Sequence, residues 1–165
     1  MKKTKYLVLT LILVSLTNAY SQNRYPFSET GKLELPSKYR LLLVQEMIQI
    51  DSAMQKLVPL MVKGESEKAS ETALKIHNSF ILKSALSKKE LKNLKSLLPN
   101  DFIKMDRYFH RSAKKLSEAL KINKLSESTN IYGKMLNACI GCHSKYAHNR
   151  FPELIKNNRN KNKSN

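Results

Sequence analysis

The sequence predicts an all-α chain folded as an antiparallel four-helix bundle, and three observations carry that prediction. Apolar residues recur at alternating steps of three and four in four separate stretches, which marks one face of a helix. Turn formers are scarce, with 4 Gly and 5 Pro in 165 residues; a sandwich or barrel needs a turn every ~8–12 residues. No stretch alternates with period two, and no repeat of fixed period competes. The length suits one domain, and a 41% hydrophobic content is enough for a real core.

The first element is a targeting segment. Lys2, Lys3 and Lys5 form a basic start. Tyr6 to Leu16 is apolar apart from Thr10 and Ser15, and the small residues Thr17, Ala19 and Ser21 follow. This pattern reads as a secretory signal peptide over residues 1–21. The apolar run is about eleven residues, short for a membrane span of ~20. No cysteine precedes Cys139, so there is no lipoprotein cleavage site. The mature chain is expected to be exported, to a periplasm where the cell has one. The formal charge is +17, and removing three lysines with the leader leaves +14.

Residues 22–36 contain Pro26, Gly31 and Pro36 and read as irregular. Ser37 can then cap a first helix, whose inner stripe is Leu43, Met47, Ile50, Met54, Leu57 and Met61. Pro59 should kink its last turn, and Lys63-Gly64 ends it. Ser66 can cap a second helix with Ala69, Ala73, Ile76, Phe80 and Ser84 inward. Ser87 to Pro99 reads as a Lys/Leu-rich connection with room for a helical turn. Asn100 or Asp101 can cap a third helix, with Phe102, Met105, Phe109, Ala113, Leu116 and Leu120 inward. Ser126 or Ser128 opens the fourth, where Tyr132, Met135, Cys139, Cys142, His143 and Tyr146 share a face. The domain is thus placed at residues 22–155. The basic, Asn-rich tail 156–165 has no core face and reads as disordered.

The chemistry lies in Cys139-Ile140-Gly141-Cys142-His143. This CxxCH sequence is the attachment signature of c-type haem. Cysteines three apart on a helix put two thiols on one side, spaced to meet one porphyrin edge as thioethers. The histidine that follows can reach the iron as an axial ligand. Gly141 leaves room for the haem edge beside the backbone. Three other readings exist, the weakest a plain structural disulfide, since cysteines three apart in a helix close poorly. A thiol–disulfide motif normally sits at a helix N-terminus after a strand, not deep in a C-terminal helix. A structural zinc site needs two further ligands, and His77, His110 and His148 do not form the usual spaced pair.

A haem motif in the last helix of a four-helix bundle resembles the cytochrome c-prime family, the class II c-type cytochromes. The resemblance covers most of the mature chain. It runs through Tyr39-Arg40 and Met61-Val62-Lys63-Gly64 of the first helix, Ala113 to Leu120 of the third and Cys139 to Tyr146 of the fourth. It implies one covalent haem c on Cys139 and Cys142, His143 as proximal iron ligand, and Tyr146 packed on the haem edge. It also makes the sixth iron position decisive. Members with a methionine there, on the first helix, transfer electrons; members with an apolar residue bind gases such as NO or CO. Counting back from Lys63-Gly64, that position falls on Ile48. Met47 is its neighbour and lies on the inner stripe, so Met47 is the candidate distal ligand. Family members often carry Arg or Lys four residues after the haem histidine; here that residue is Ala147, and the next arginine is Arg150.

His77 reads as a satisfied core histidine rather than a ligand, and His110 and His148 as surface residues. No nucleophile–base pair or carboxylate dyad suggests an enzyme. The positive charge favours an acidic redox partner or an anionic membrane surface, while export argues against nucleic acid. The family also includes dimers built on the first two helices, so a homodimer is one state the resemblance allows. The leading expectation is a monohaem electron carrier. Its alternatives are a five-coordinate gas-binding protein and a haem-free CxxC module that binds zinc or cycles as a disulfide.

Overall fold

The computed structural model describes residues 33–154. The signal-peptide and tail expectations lie outside the described residues. Within them the chain is all helical: α1 Ser37–Val62, α2 Ser66–Asn78, α3 Leu82–Ala85, α4 Lys88–Leu97, α5 Asn100–Lys121 and α6 Leu125–Tyr146. None of the described helices is long and apolar enough to cross a membrane.

Four of these helices line one core. α1 contributes Ile50, Ala53, Met54 and Leu57, and α2 contributes Ala69, Ala73 and Ile76. Phe109, Ala113, Leu116 and Leu120 come from α5, Met135 and Ala138 from α6. The expected stripes pack here through most of their residues, while Leu43 packs on a second apolar cluster and Met105 is of intermediate exposure outside this core. α1 continues through Pro59. It then ends where Gly64 takes φ +71°, with Gly64 N–H donating to the Met61 carbonyl and Glu65 N–H to the Leu60 carbonyl. That is a Schellman reversal, for which glycine has no steric cost. α5 ends in the same way with Asn123 at φ 56°; Asn123 N–H donates to Leu120 and Lys124 N–H to Ala119. Matching reversals therefore turn the chain from α1 into α2 and from α5 into α6.

α2 lies along α5 through small side chains. Ala69, Ala73 and Ala113 are fully buried, so the two backbones approach closely. The Ser70 hydroxyl donates to the Ser117 carbonyl at 2.9 Å and shares a 2.9 Å bond with the Ser117 hydroxyl. α1 and α6 are tied by the Tyr132 hydroxyl, which donates to the Met54 carbonyl at 3.1 Å.

The segment between α2 and α5 differs from expectation. α2 stops at Asn78 and Ser79 turns left-handed, so only Phe80 of the predicted extension packs on the core; Ser84 is exposed. The Ser87–Pro99 connection holds a ten-residue helix, α4. A capping box starts it: Glu90 N–H donates to Ser87 Oγ while Ser87 N–H donates to the Glu90 carboxylate. α4 closes a second apolar cluster of Leu35, Tyr39, Leu86 and Leu94. Asn93 donates to the Tyr39 hydroxyl and Lys38 pairs with Glu90 across that cluster. The expected side-chain caps do not form at α1, α2, α5 or α6, whose N-cap residues are Pro36, Glu65, Pro99 and Lys124.

Candidate cofactor-attachment site

The CxxCH sequence occupies the last two turns of α6. Met135, Ala138 and Tyr146 are buried on its inner face, while Ile140 points outward at 43% exposure. Helical periodicity places Cys139 and Cys142 between these extremes. Both are partly buried, both are unpaired, and Cys139 packs against the main core. Burial pushes the Cys139 thiol up to about 11. Cys142 is pushed up to about 12, first by burial and then by the charges of Asp106 and Cys139. Both sulfurs are therefore protonated thiols at neutral pH, the reverse of the low-pKa thiolate that a disulfide-exchange motif uses.

His143 is half-buried beside them. Burial lowers its pKa first, the nearby Arg150 charge lowers it further, and Asp51 opposes them. The neutral imidazole that results is the form that ligates metal. Its ring stacks on Phe151, with centroids 4.5 Å apart and planes 6° apart. The chain reaches that position because α6 ends in a turn: Ala147 N–H donates to His143, and both Arg150 and Phe151 N–H groups donate to Ala147. Arg150 thus supplies positive charge beside His143.

Tyr146 is buried edge-on against Phe102, with centroids 5.3 Å apart and planes at 74°. Lys145 covers the Tyr146 ring at 5.4 Å and pairs with Asp101 at 3.1 Å, which fastens the end of α6 to the start of α5. Gly141 lies beside α5. A Cβ there would sit 3.5 Å from Met105 Cε, an ordinary contact, so an alanine would be accommodated by the protein alone.

On α1, Met47 is partly buried and packs against the core cluster that also takes Cys139. Ile48 is 59% exposed. Asp51, one turn beyond Met47, acts electrostatically on both Cys139 and His143. Met54 is core filler at 7% exposure.

The remaining histidines form a structural pair. His77 Nδ1–H donates to the His110 carbonyl at 2.9 Å, and His110 Nδ1–H donates to the Ile76 carbonyl at 2.6 Å. A carbonyl can only accept, which fixes both tautomers. His77 is thus a satisfied histidine, as expected. His110 is not a surface residue: its side chain is 17% exposed, and its Nε2 lies 3.5 Å from Asp106. Burial opposes its protonation, but Asp106, the Ile76 carbonyl and the Glu46 charge outweigh that and raise its pKa. His148 is of intermediate exposure.

Sequence reasoning placed Met105 on the inward stripe of α5, where it meets Gly141, but missed Phe151, Asp51 and Asp106 around the motif. Phe151 follows an irregular turn, and no periodic signal places it. Asp51 and Asp106 lie on the polar edges of amphipathic stripes, where solvated charge is the usual reading. Among the described residues, no three His, Cys, Asp or Glu side chains converge as a metal-binding group, so CxxC has no gathered zinc partners there. The chain matches no family model, no curated protein and no solved structure.

Proposed function

We propose that this chain is an exported monohaem c-type cytochrome that transfers electrons, with its four core helices arranged as an antiparallel bundle of the class II cytochrome type. One observation carries the reading: two unpaired, protonated thiols one helical turn apart on the partly buried flank of α6, with a neutral imidazole in the next residue. The donor set fits haem c. Each thiol can add its S–H across one haem vinyl group, so that sulfur bonds carbon and the hydrogen goes to the neighbouring carbon. His143 Nε2 or Nδ1 offers the lone pair for the proximal position. Phe151 fixes the plane of that imidazole, and Arg150 sets the charge beside it. Tyr146, one turn beyond Cys142 and backed by Phe102, closes the end of the site.

Met47 is the candidate for the distal position. Its inward setting, with Ile48 turned to solvent, favours a six-coordinate iron and electron transfer over gas binding. When bound, the haem supplies one-electron chemistry at its iron, and the protein tunes the potential through ligands, charge and burial. The partner suited to the mature chain, whose formal charge is +14 once the three leader lysines are removed, is an acidic redox protein or an anionic membrane surface.

The test is a visible spectrum of the exported protein, ferric and ferrous, before and after CO. Sharp c-type ferrous bands that CO leaves unchanged are expected. A broad ferrous band that CO converts at once makes this a gas-binding cytochrome. A colourless protein, made with haem-attachment machinery present, overturns the haem reading.

A further inference from the structure

Glu46 is 1% exposed, the one charged side chain among the described residues buried to that degree. A carboxylate is buried at high cost unless its oxygens are filled with hydrogen bonds. Here they are filled by backbone alone. Phe80 N–H donates to Oε1 at 2.9 Å, and Ile81 and Leu82 N–H donate to Oε2 at 2.6 and 3.1 Å. These are groups at the start of α3, just after the left-handed Ser79, and a helix start has no acceptors of its own for them.

The consequence reaches the next residue. Consecutive residues on a helix point about 100° apart. With Glu46 pinned toward the α2–α3 turn on one flank of the α1 stripe, Met47 falls on the other flank. That second flank faces α6: Asp51 acts there on Cys139 and His143, and the Met54 carbonyl takes the Tyr132 hydroxyl. A rotation of α1 about its axis would break three charge-assisted bonds at Glu46 and would carry Met47 toward the exposed position of Ile48.

We infer that Glu46 is a positioning residue: its clamp on the Phe80–Leu82 backbone locks the rotation of α1 and holds Met47 over the cofactor site. The inference rests on the haem reading above and on Met47 as the sixth iron ligand. It requires the carboxylate's two acceptor oxygens, not merely a side chain that fills the space.

The experiment compares the haem-loaded protein with E46Q, E46A and L120A. Leu120 is fully buried at the far end of α5, so L120A supplies a destabilised core without touching the clamp. Two quantities are read: amide hydrogen exchange at Phe80, Ile81 and Leu82, and the ferrous spectrum with and without CO. E46Q keeps the shape and loses one acceptor; its three amides should exchange about tenfold faster, and a CO-reactive ferrous fraction should appear. E46A should show both effects more strongly, while L120A lowers the melting temperature and leaves the spectrum unchanged. Faster exchange with an unchanged ferrous spectrum in E46Q and E46A would overturn the inference and leave Glu46 a cap for α3. A CO-reactive unmodified protein would instead overturn the Met47 assignment, and an uncoloured one the haem reading, before either variant is compared.

Discussion

The α2–α5 seam and the α1–α6 flank are built from opposite materials. Along the seam, alanines and serines bring two backbones together, and the polar groups they bury are paired: Ser70 with Ser117, His77 and His110 with each other's backbone segments. Along the flank sit two unpaired thiols, a methionine and a half-buried imidazole. At the seam these polar side chains find their partners within the protein. The flank keeps donor atoms that the protein itself does not satisfy, held in place by a rim of bonds at Tyr132, Lys145 and Phe151. α1 packs on α2 and α6 on α5, so the seam lies between the two helices that carry the candidate site.

If that division is right, the two regions should fail differently. The largest effect is at the flank. Replacing both Cys139 and Cys142 by serine should remove all covalently held haem, read as loss of haem stain on a denaturing gel, while far-ultraviolet circular dichroism stays helical. The next belongs to the seam. L116A opens a fully buried position on α5 and should cost about 2–5 kcal/mol in denaturant unfolding, with no change in the ferrous spectrum. Met47→Ala should do the converse. The side chain is only partly buried, so the stability loss should be at most about 2 kcal/mol, yet the ferrous iron should become open to CO and its potential should move.

The smallest effect lies outside both regions, at α4. The Lys38 hydrogen bond, helped by Ser87, holds the Glu90 carboxyl at about 2, against an ordinary 4.5. A carboxyl lowered by folding stabilises the fold fully above its unfolded value and loses that contribution as pH falls toward its folded one. Glu90 therefore helps down to about pH 4.5 and progressively less toward pH 2. E90Q should flatten the stability profile across that window by a small amount, less at high salt because the pair is exposed. A flat profile in the unmodified protein would remove Lys38–Glu90 from the account.

The contrast also explains what the sequence made legible. The core stripes are periodic, and periodicity is what burial imposes on a helix, so Ile50, Leu57, Ala73, Leu116 and Met135 could be placed from spacing alone. CxxCH was legible because its chemistry is local: five consecutive residues carry both thiols and the imidazole. α4 carries a local signal too: Ser87-Lys88-Lys89-Glu90 is a capping-box pattern, and its Leu91 and Leu94, with Leu98 just past its end, belong to or pack on the second cluster. Glu46 and His110 could not be read so. A charged residue on a helix is ordinarily solvated, and what buries Glu46 is a turn 34–36 residues away. Phe151 reaches His143 only through the turn that ends α6. Contacts that depend on where a loop returns leave no trace in local pattern.

The most direct test of the central claim is the intact mass of the exported, mature chain under denaturing conditions. The account predicts the mass of the chain plus one haem, retained after unfolding, because thioether bonds at Cys139 and Cys142 survive loss of the fold. A bare chain, or one lighter by the two hydrogens of a Cys139–Cys142 disulfide, would contradict it.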